Sequence, residues 1–193
     1  MDETNRGPFT VADFNEIVAI SIDAWSAVPE ADWASQAPGL EWSRFETADH
    51  TIDCVFSYAF FLASRAQDAY PAFGEVHTED GATPHDLVDG LRAMTNLLAG
   101  AVTTAPPQTR SIIWRRPEVT TGAPNDFAAR GAHELAVHTY DICAGTNVAF
   151  DPPRDVCQRL VDHTVDWPYG TLERTNDPWS DLLARSGRAR VRS

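Results

Sequence analysis

The segment RGAHELAVHTYDICAG, residues 130–145, contains the side chains of this sequence that are best placed for chemistry. Glu134 and His138 are four residues apart, so a helix presents both side chains on one face. A carboxylate and an imidazole at this spacing can bind one divalent metal ion together. The same pair in isolation is more often a solvated contact between neighbouring helical turns, so the metal interpretation depends on a further ligand.

That third ligand must come from another helix, because two side chains do not complete a coordination sphere. We predict that His50 supplies it, since His50 lies in the first turn of a predicted helix that is otherwise apolar. Two histidines and one carboxylate leave positions open for water and substrate, as catalytic sites require. Taken alone, His50 would more often be a histidine near a helix cap or on the surface.

Two polar residues accompany Glu134 and His138 on the same predicted helix, and we assign both as candidate catalytic residues. Asp141 lies three residues beyond His138, where it can accept the second imidazole N–H and orient the ligand; an ordinary residue at a helix end is the alternative. Arg130 lies one turn before Glu134 and can either bind a substrate carboxylate or pair with Glu134. Further arginines that can hold an acidic group are Arg115 and Arg116.

The remaining histidines receive other assignments. His133 points about 100° away from Glu134 on a helix, so we predict no metal role for it. His77 and His85 lie in or beside a polar loop, where we expect solvated side chains. His163, on the last predicted helix, is a reserve candidate for a metal ligand.

Hydrophobic periodicity and capping residues predict an all-α protein, a four-helix bundle with an additional short C-terminal helix. Thr10 with Asp13 resembles a capping box, and Thr83 followed by Pro84 is a typical helix start. The segment 110–121 is either a short extended piece or a loop, and the arginines after residue 180 predict a mobile basic tail. The predicted helices run from 10 to about 29, 46 to 70, 83 to 100, 124 to 145 and 151 to 167, in one domain, 1–193, with its core at about 9–168.

Composition disfavours several classes of protein. A formal net charge of -13 and a pI near 4.7 make nucleic-acid binding improbable. All 15 basic residues are arginine, which removes Schiff-base chemistry from consideration. The chain has no apolar run long enough to span a bilayer and no signal-peptide pattern, so we expect a cytoplasmic location. Three cysteines without close pairing predict free thiols: Cys54, Cys143 and Cys157.

Two stretches together resemble the DinB-like superfamily, most closely the N-terminal metal-binding domain of mycothiol-dependent maleylpyruvate isomerases. WSRFETADHTIDCVFSYAFFLASR, from Trp42 to Arg65, is similar to the family's tryptophan-then-histidine opening of its second helix. ELAVHTYDICAG, from Glu134 to Gly145, is similar to the family's E-x-x-x-H-x-x-D-x-x-x-G signature. The resemblance covers roughly residues 10–168 in helix order and loop placement.

The resemblance implies a divalent metal held by His50, Glu134 and His138, with zinc as the expected metal and nickel, manganese or iron as alternatives. It also implies thiol chemistry with mycothiol, the low-molecular-weight thiol of actinobacteria, as cosubstrate. We therefore expect an S-transferase or isomerase that acts on a small electrophilic metabolite. The isomerases carry a further C-terminal domain that is not seen in this sequence, so maleylpyruvate isomerisation itself is not expected. The loop from Tyr70 to Thr83 and the segment 114–116 have no matched counterpart.

Two alternatives stay open at the level of the sequence. One is a metal-dependent hydrolase, cyclase or lyase without a thiol, in which the metal activates water or polarises a carbonyl group. The other is a non-catalytic bundle that a metal stabilises for binding. The expected partner is a small molecule, with no nucleic acid and no membrane, and a homodimer is left open.

Overall fold

Four long helices form the body of the molecule. The computed structural model describes residues 7–72, 75–115, 118–168 and 174–188. The helices are α1 (Val11–Ala27), α2 (Arg44–Ser64), α3 (Pro84–Thr104), α4 (Pro124–Cys143), α5 (Arg154–His163) and α6 (Pro178–Arg185), and a 3₁₀ turn covers Glu30–Asp32. Helix α2 packs against α3 and α4, and α1 packs against the same two helices, which confirms the predicted all-α four-helix bundle.

Capping boxes begin the first three helices. In each, the side chain three residues into the helix accepts a hydrogen bond from the backbone of the capping residue, so backbone N–H groups left over at the helix start are satisfied locally. The predicted caps at Thr10 and Thr83 are confirmed. The three pairs are Thr10 with Asp13, Ser43 with Glu46, and Thr83 with Asp86.

Helix α4 is the central helix of the bundle, and small side chains allow its neighbours to approach closely. Ala128, Ala129 and Ala132 are fully buried. A Cβ atom at Gly131 would lie only 2.6 Å from Cδ2 of Leu98 on α3, so glycine permits this close approach. The packing fixes the rotation of α4 about its own axis, and with it the direction in which its polar side chains point.

Several predicted boundaries are wrong. Helix α2 ends at Ser64 and not near Tyr70, because Arg65 adopts a left-handed conformation with φ of 54°. The hydroxyl of Ser64 also donates to the carbonyl of Phe61 and competes with the helix. Helix α3 continues past Gly100 to Thr104, and α5 begins at Arg154, after the prolines that precede it, and ends at His163 rather than 167. The predicted glycine at the end of α4 is confirmed, because Gly145 follows the C-cap with a φ of 76°.

The segment that the sequence left ambiguous is a small antiparallel hairpin. Strand β1 (Ser111–Trp114) pairs with β2 (Thr120–Gly122) between α3 and α4. The backbone N–H of Ile112 donates to the carbonyl of Ala66, 2.7 Å away, which ties the hairpin to the chain just after α2. The hairpin therefore covers the flank of α2 and α4, next to the candidate site described below.

The prediction of a mobile tail from residue 180 is wrong for residues 180–188. Helix α6 occupies part of this stretch, and Arg185 is buried because its guanidinium donates to the carbonyl oxygens of Thr164 and Trp167. The tail's last arginines, Arg190 and Arg192, lie outside the described residues. Within the described part of the chain, no helix has both the length and the apolarity needed to cross a membrane.

Candidate metal centre

The three predicted metal ligands come together where α2 and α4 pack against each other. His50 lies in the second turn of α2, and its ring centre is 5.4 Å from that of His138, with the two rings nearly perpendicular. On α4, Nε2 of His138 lies 3.6 Å from the Glu134 carboxylate. His138 is buried and His50 is half-buried, so the cluster sits at the edge of the core.

A carboxylate from the end of α4 fixes the orientation of His138. Nδ1 of His138 lies 3.0 Å from the carboxylate of Asp141, which is 1% exposed. Arg188, beyond α6, donates to the same carboxylate through Nη2 at 2.8 Å and Nε at 3.2 Å. Burial by itself would raise the pKa of Asp141, but the hydrogen bonds from His138 and Arg188 outweigh it and lower the pKa. Because Nδ1 of His138 donates its proton to the hydrogen bond with Asp141, Nε2 is the unprotonated nitrogen, and its lone pair is available to a metal on the side of Glu134.

Two further side chains of α2 contact the predicted ligands. The hydroxyl of Tyr58 donates to Oε1 of Glu134 at 3.1 Å, and Sγ of Cys54 lies 3.4 Å from Nε2 of His50. Cys54 and Tyr58 are four and eight residues beyond His50, so all three share one face of α2. That face meets the polar face of α4 and completes a cluster of five polar side chains.

The electrostatics of the cluster favour a neutral imidazole beside an ionised carboxylate. Burial lowers the pKa of His50, and His138 lowers it further. Burial acts to raise the pKa of Glu134, but neighbouring histidines, Arg130 and the Tyr58 hydrogen bond bring it below the usual range. Burial and the nearby Glu134 carboxylate raise the pKa of the Cys54 thiol to about 12. Neutral imidazole and carboxylate are the forms that bind divalent cations.

The donor atoms of the three predicted ligands are of types that bind divalent metals. Two imidazoles and one carboxylate are ligands that zinc and several other transition metals accept. Among the described residues, however, no three His, Cys, Asp or Glu side chains are placed so that they could hold a metal ion together as they stand. Closing a shared sphere would require rotations of the His50 and Glu134 side chains, which are partly exposed at the edge of the cluster.

Arg130 lies beside the cluster between two aromatic rings. Its guanidinium carbon is 3.7 Å from the ring centre of Trp114 and 4.6 Å from that of Tyr58, and Nη1 donates to the carbonyl of Ile113. These contacts attach the hairpin to α4. The charge of Arg130 also lowers the pKa of the Glu134 carboxyl group. Its two predicted roles, pairing with Glu134 and binding a substrate carboxylate, stay predictions.

An aromatic side chain and a loop border the mouth of the cluster. Trp42 is 42% exposed, and its ring centre lies 4.8 Å from that of His50. The described part of the loop between α2 and α3 is held to α2 by Asp53 and Asp49, whose carboxylates accept from the backbone N–H groups of Val76 and Thr78 at 2.8 Å. The loop therefore contacts α2 next to His50.

The other histidines lie apart from this cluster. His133 is buried, faces Ser186 at 3.1 Å, and has a pKa lowered to about 4 by burial. His163 lies 2.8 Å from Asp126, in the first turn of α4; twelve residues of helix, about 18 Å, separate Asp126 from His138. That distance argues against the reserve role for His163. His77 contacts Asp49 and Glu75, and His85 is exposed.

Sequence reasoning missed Tyr58 and Cys54 as members of the cluster, and Arg188 as the partner of Asp141. Tyr58 was detectable from its spacing to His50, because both fall on one helical face. Arg188 gave no such signal, since its contact with Asp141 spans 47 residues. The three cysteines are free thiols, as predicted. Arg116, a further predicted candidate, lies outside the described residues.

The fold and this cluster define a class, the DinB-like helical bundles. Residues 14–143 match the family described as the mycothiol maleylpyruvate isomerase N-terminal domain, and the chain belongs to that family. Among solved structures, the chain is similar to a histidine-to-alanine mutant of the mycothiol-dependent maleylpyruvate isomerase, with a TM-score of 0.59 and 10% sequence identity. The similarity covers 77% of this chain and 65% of that chain, and at this identity it shows the shared fold. No individually curated protein matches the sequence.

Proposed function

We propose that this protein is a metal-dependent enzyme of thiol chemistry, an S-transferase or isomerase that uses mycothiol and acts on a small electrophilic metabolite. The observation that carries the proposal is the meeting of His50, Glu134 and His138 from two helices, in a chain of this family. The chain spans 65% of the isomerase that it resembles, and the reaction of that isomerase does not form part of the proposal.

In the proposed site, His50, Glu134 and His138 would hold the metal. A bound divalent metal favours the thiolate over the thiol near neutral pH, and the thiolate is the competent nucleophile. Asp141 keeps Nδ1 of His138 protonated, so that Nε2 has a lone pair available to bind the metal. Tyr58 would orient the Glu134 carboxylate through its hydrogen bond.

A metal assay tests the basis of the proposal. Protein purified without chelator should contain about one divalent metal ion per chain by elemental analysis, and His138→Ala should lose it. His85→Ala is the matched control, because His85 is an exposed histidine on α3 and its loss should leave metal content unchanged. Absence of stoichiometric metal from the wild type, or equal content in both variants, would remove the ligand assignment.

A second assay separates thiol chemistry from the alternative without a thiol. Consumption of a small electrophile by the metal-loaded protein should depend on added mycothiol and should be lost in His138→Ala. The melting temperature of that variant, measured alongside, separates loss of catalysis from loss of the fold. Turnover at the same rate without a thiol would contradict the proposal and favour a metal-dependent hydrolase, cyclase or lyase.

A further inference from the structure

A cavity of about 320 Å³ runs along α2 beside the candidate metal centre. This volume is at the lower end of the range for small-molecule sites. The cavity has an aromatic side, two guanidinium groups and a polar inner end. Its lining includes Cys54, Ser57, Phe60, Tyr70, Arg115 and Arg130.

The inner end of the cavity adjoins His50. Cys54, which lines the cavity, places Sγ 3.4 Å from Nε2 of His50. Asp53 and Glu75 also line this part, and their negative charges act on His50. One end of a molecule bound in the cavity therefore lies near the predicted metal ligands. The carboxylates of Asp53 and Glu75 outnumber the guanidinium group of Arg130, which also lines the cavity there, so this end repels a further negative charge.

Aromatic rings form one wall. Phe61 and Tyr70 stack with ring centres 4.2 Å apart and planes 2° apart, and Phe56 and Phe60 stack at 6.0 Å. These phenylalanines are half-buried, so parts of their faces and edges remain accessible from the cavity. A wall of this kind favours a flat, unsaturated body that can pack against ring faces and edges.

The outer end is positively charged. The guanidinium carbon of exposed Arg115 lies 4.7 Å from the ring centre of Tyr70, and no carboxylate pairs with Arg115 among the described residues. In a chain with a net charge of -13, such a guanidinium is a natural anchor for a ligand carboxylate. Seven residues of α2, from Cys54 to Phe61, separate the two ends by about 10 Å.

We infer that this cavity binds a planar, unsaturated monocarboxylate, with its carboxylate on Arg115, its body along the aromatic wall and its other end toward His50. The ligand carries one negative charge because the carboxylates of Asp53 and Glu75 disfavour a second at the inner end. The inference deepens the proposed function, since it names the class of electrophile. It depends on that function only for the reaction at the inner end, and binding itself requires no metal.

Calorimetric titration with trans-cinnamate tests the inference on the full chain, both as purified and after chelator treatment. We expect a Kd on the order of 1 mM, a modest affinity that suits a ligand of this size. Cinnamamide, which has the same shape without the charge, should bind at least about tenfold more weakly. 3-Cyclohexylpropanoate, which keeps the charge without the flat ring, should also bind more weakly.

Matched variants locate the binding. Arg115→Gln should weaken cinnamate binding about tenfold, and Phe60→Leu should weaken it several-fold. Arg110→Gln is the control, because Arg110 is an exposed arginine one residue before β1 that does not line the cavity. The inference is overturned if cinnamate shows no binding up to about 20 mM, if it binds the Arg115 and Arg110 variants equally, or if the amide binds as well as the acid. Binding that persists after chelation upholds the cavity even if the metal assay fails.

Discussion

Arg188 links the C-terminal segment to the orientation of a candidate metal ligand, and its removal is predicted to destabilise the protein. Arg188→Ala removes two charge-assisted hydrogen bonds from the carboxylate of Asp141. That carboxylate is almost fully buried, and within the described part of the chain the hydrogen bond that it then keeps is the one from His138. A buried carboxylate that loses a hydrogen-bond partner still carries the free-energy cost of its removal from water, but no longer has the hydrogen bonds that offset this cost.

The magnitude follows from burial. Hydrogen bonds to charged groups contribute about 1.5–3 kcal/mol, and removing one partner of a fully buried pair costs about 3–5 kcal/mol. The Arg188 side chain is 23% exposed, so water can partly replace it after truncation. We therefore expect a loss of about 2 kcal/mol in the free energy of unfolding, or a fall in Tm of roughly 4–8 °C for a chain of this size.

Urea unfolding followed by circular dichroism measures this loss. Arg92→Ala is the matched control, because Arg92 is an exposed arginine within α3, and its loss should cost less than about 0.5 kcal/mol. In an Asp141→Asn background, Arg188→Ala should cost clearly less than in the wild type, because the neutral amide leaves no buried charge uncompensated. Equal losses in Arg188→Ala and Arg92→Ala, or the same loss in both backgrounds, would refute the reasoning.

The pH dependence of the same variant gives an independent check. The folded pKa of Asp141 lies below its unfolded value of about 3.9, so the stability that its partners provide is fully present above that pH. It is lost as the pH falls through the lower folded pKa. The difference between wild type and Arg188→Ala should therefore stay constant from about pH 6 to 8 and shrink in acid below about pH 4. A difference that grows in acid would contradict the assigned sign.

Two further predictions concern the core and the loop. Gly131→Ala should lower the free energy of unfolding by about 1 kcal/mol, because the overlap of the added methyl group with α3 costs more than the gain in helix propensity. Gly100→Ala has no atom within 4 Å of the added methyl group and should raise the free energy of unfolding by about 0.5–1 kcal/mol. Stabilisation by both changes in thermal unfolding would contradict the close packing at Gly131. Hydrogen bonds to Glu75 and Asp49 raise the pKa of His77, so their support of the loop is complete below the unfolded pKa of about 6.5 and is lost as pH rises through the folded pKa. An NMR titration should find the pKa of His77 above 6.5 and lower in Asp49→Asn, which keeps the acceptor for Thr78; an unchanged pKa in that variant would disprove the contact.

Local sequence determined the starts of α1 and α3 and one half of the candidate site. Thr10 and Thr83 predict the starts of their helices because the hydrogen bonds of a capping box lie within four consecutive residues. Glu134, His138 and Asp141 share a face because the helical period alone dictates it, so their relative placement followed from spacing. The end of α2 was misplaced because Arg65 adopts a left-handed conformation, which the hydrophobic pattern does not encode.

Tertiary structure alone decided what these residues meet. The hydrogen bond from Tyr58 to Glu134 joins positions 76 residues apart, and the ion pair of Arg188 with Asp141 joins positions 47 apart. Contacts at such separations depend on how the helices pack against one another and not on the period of any one helix. Gly131 is an example, because its missing side chain lets α3 pack closely against α4. The sequence by itself determined which donor atoms each helix presents. The packing of the bundle decided which of them face one another, because side-chain direction within a helix is a local property and the distance between helices is not.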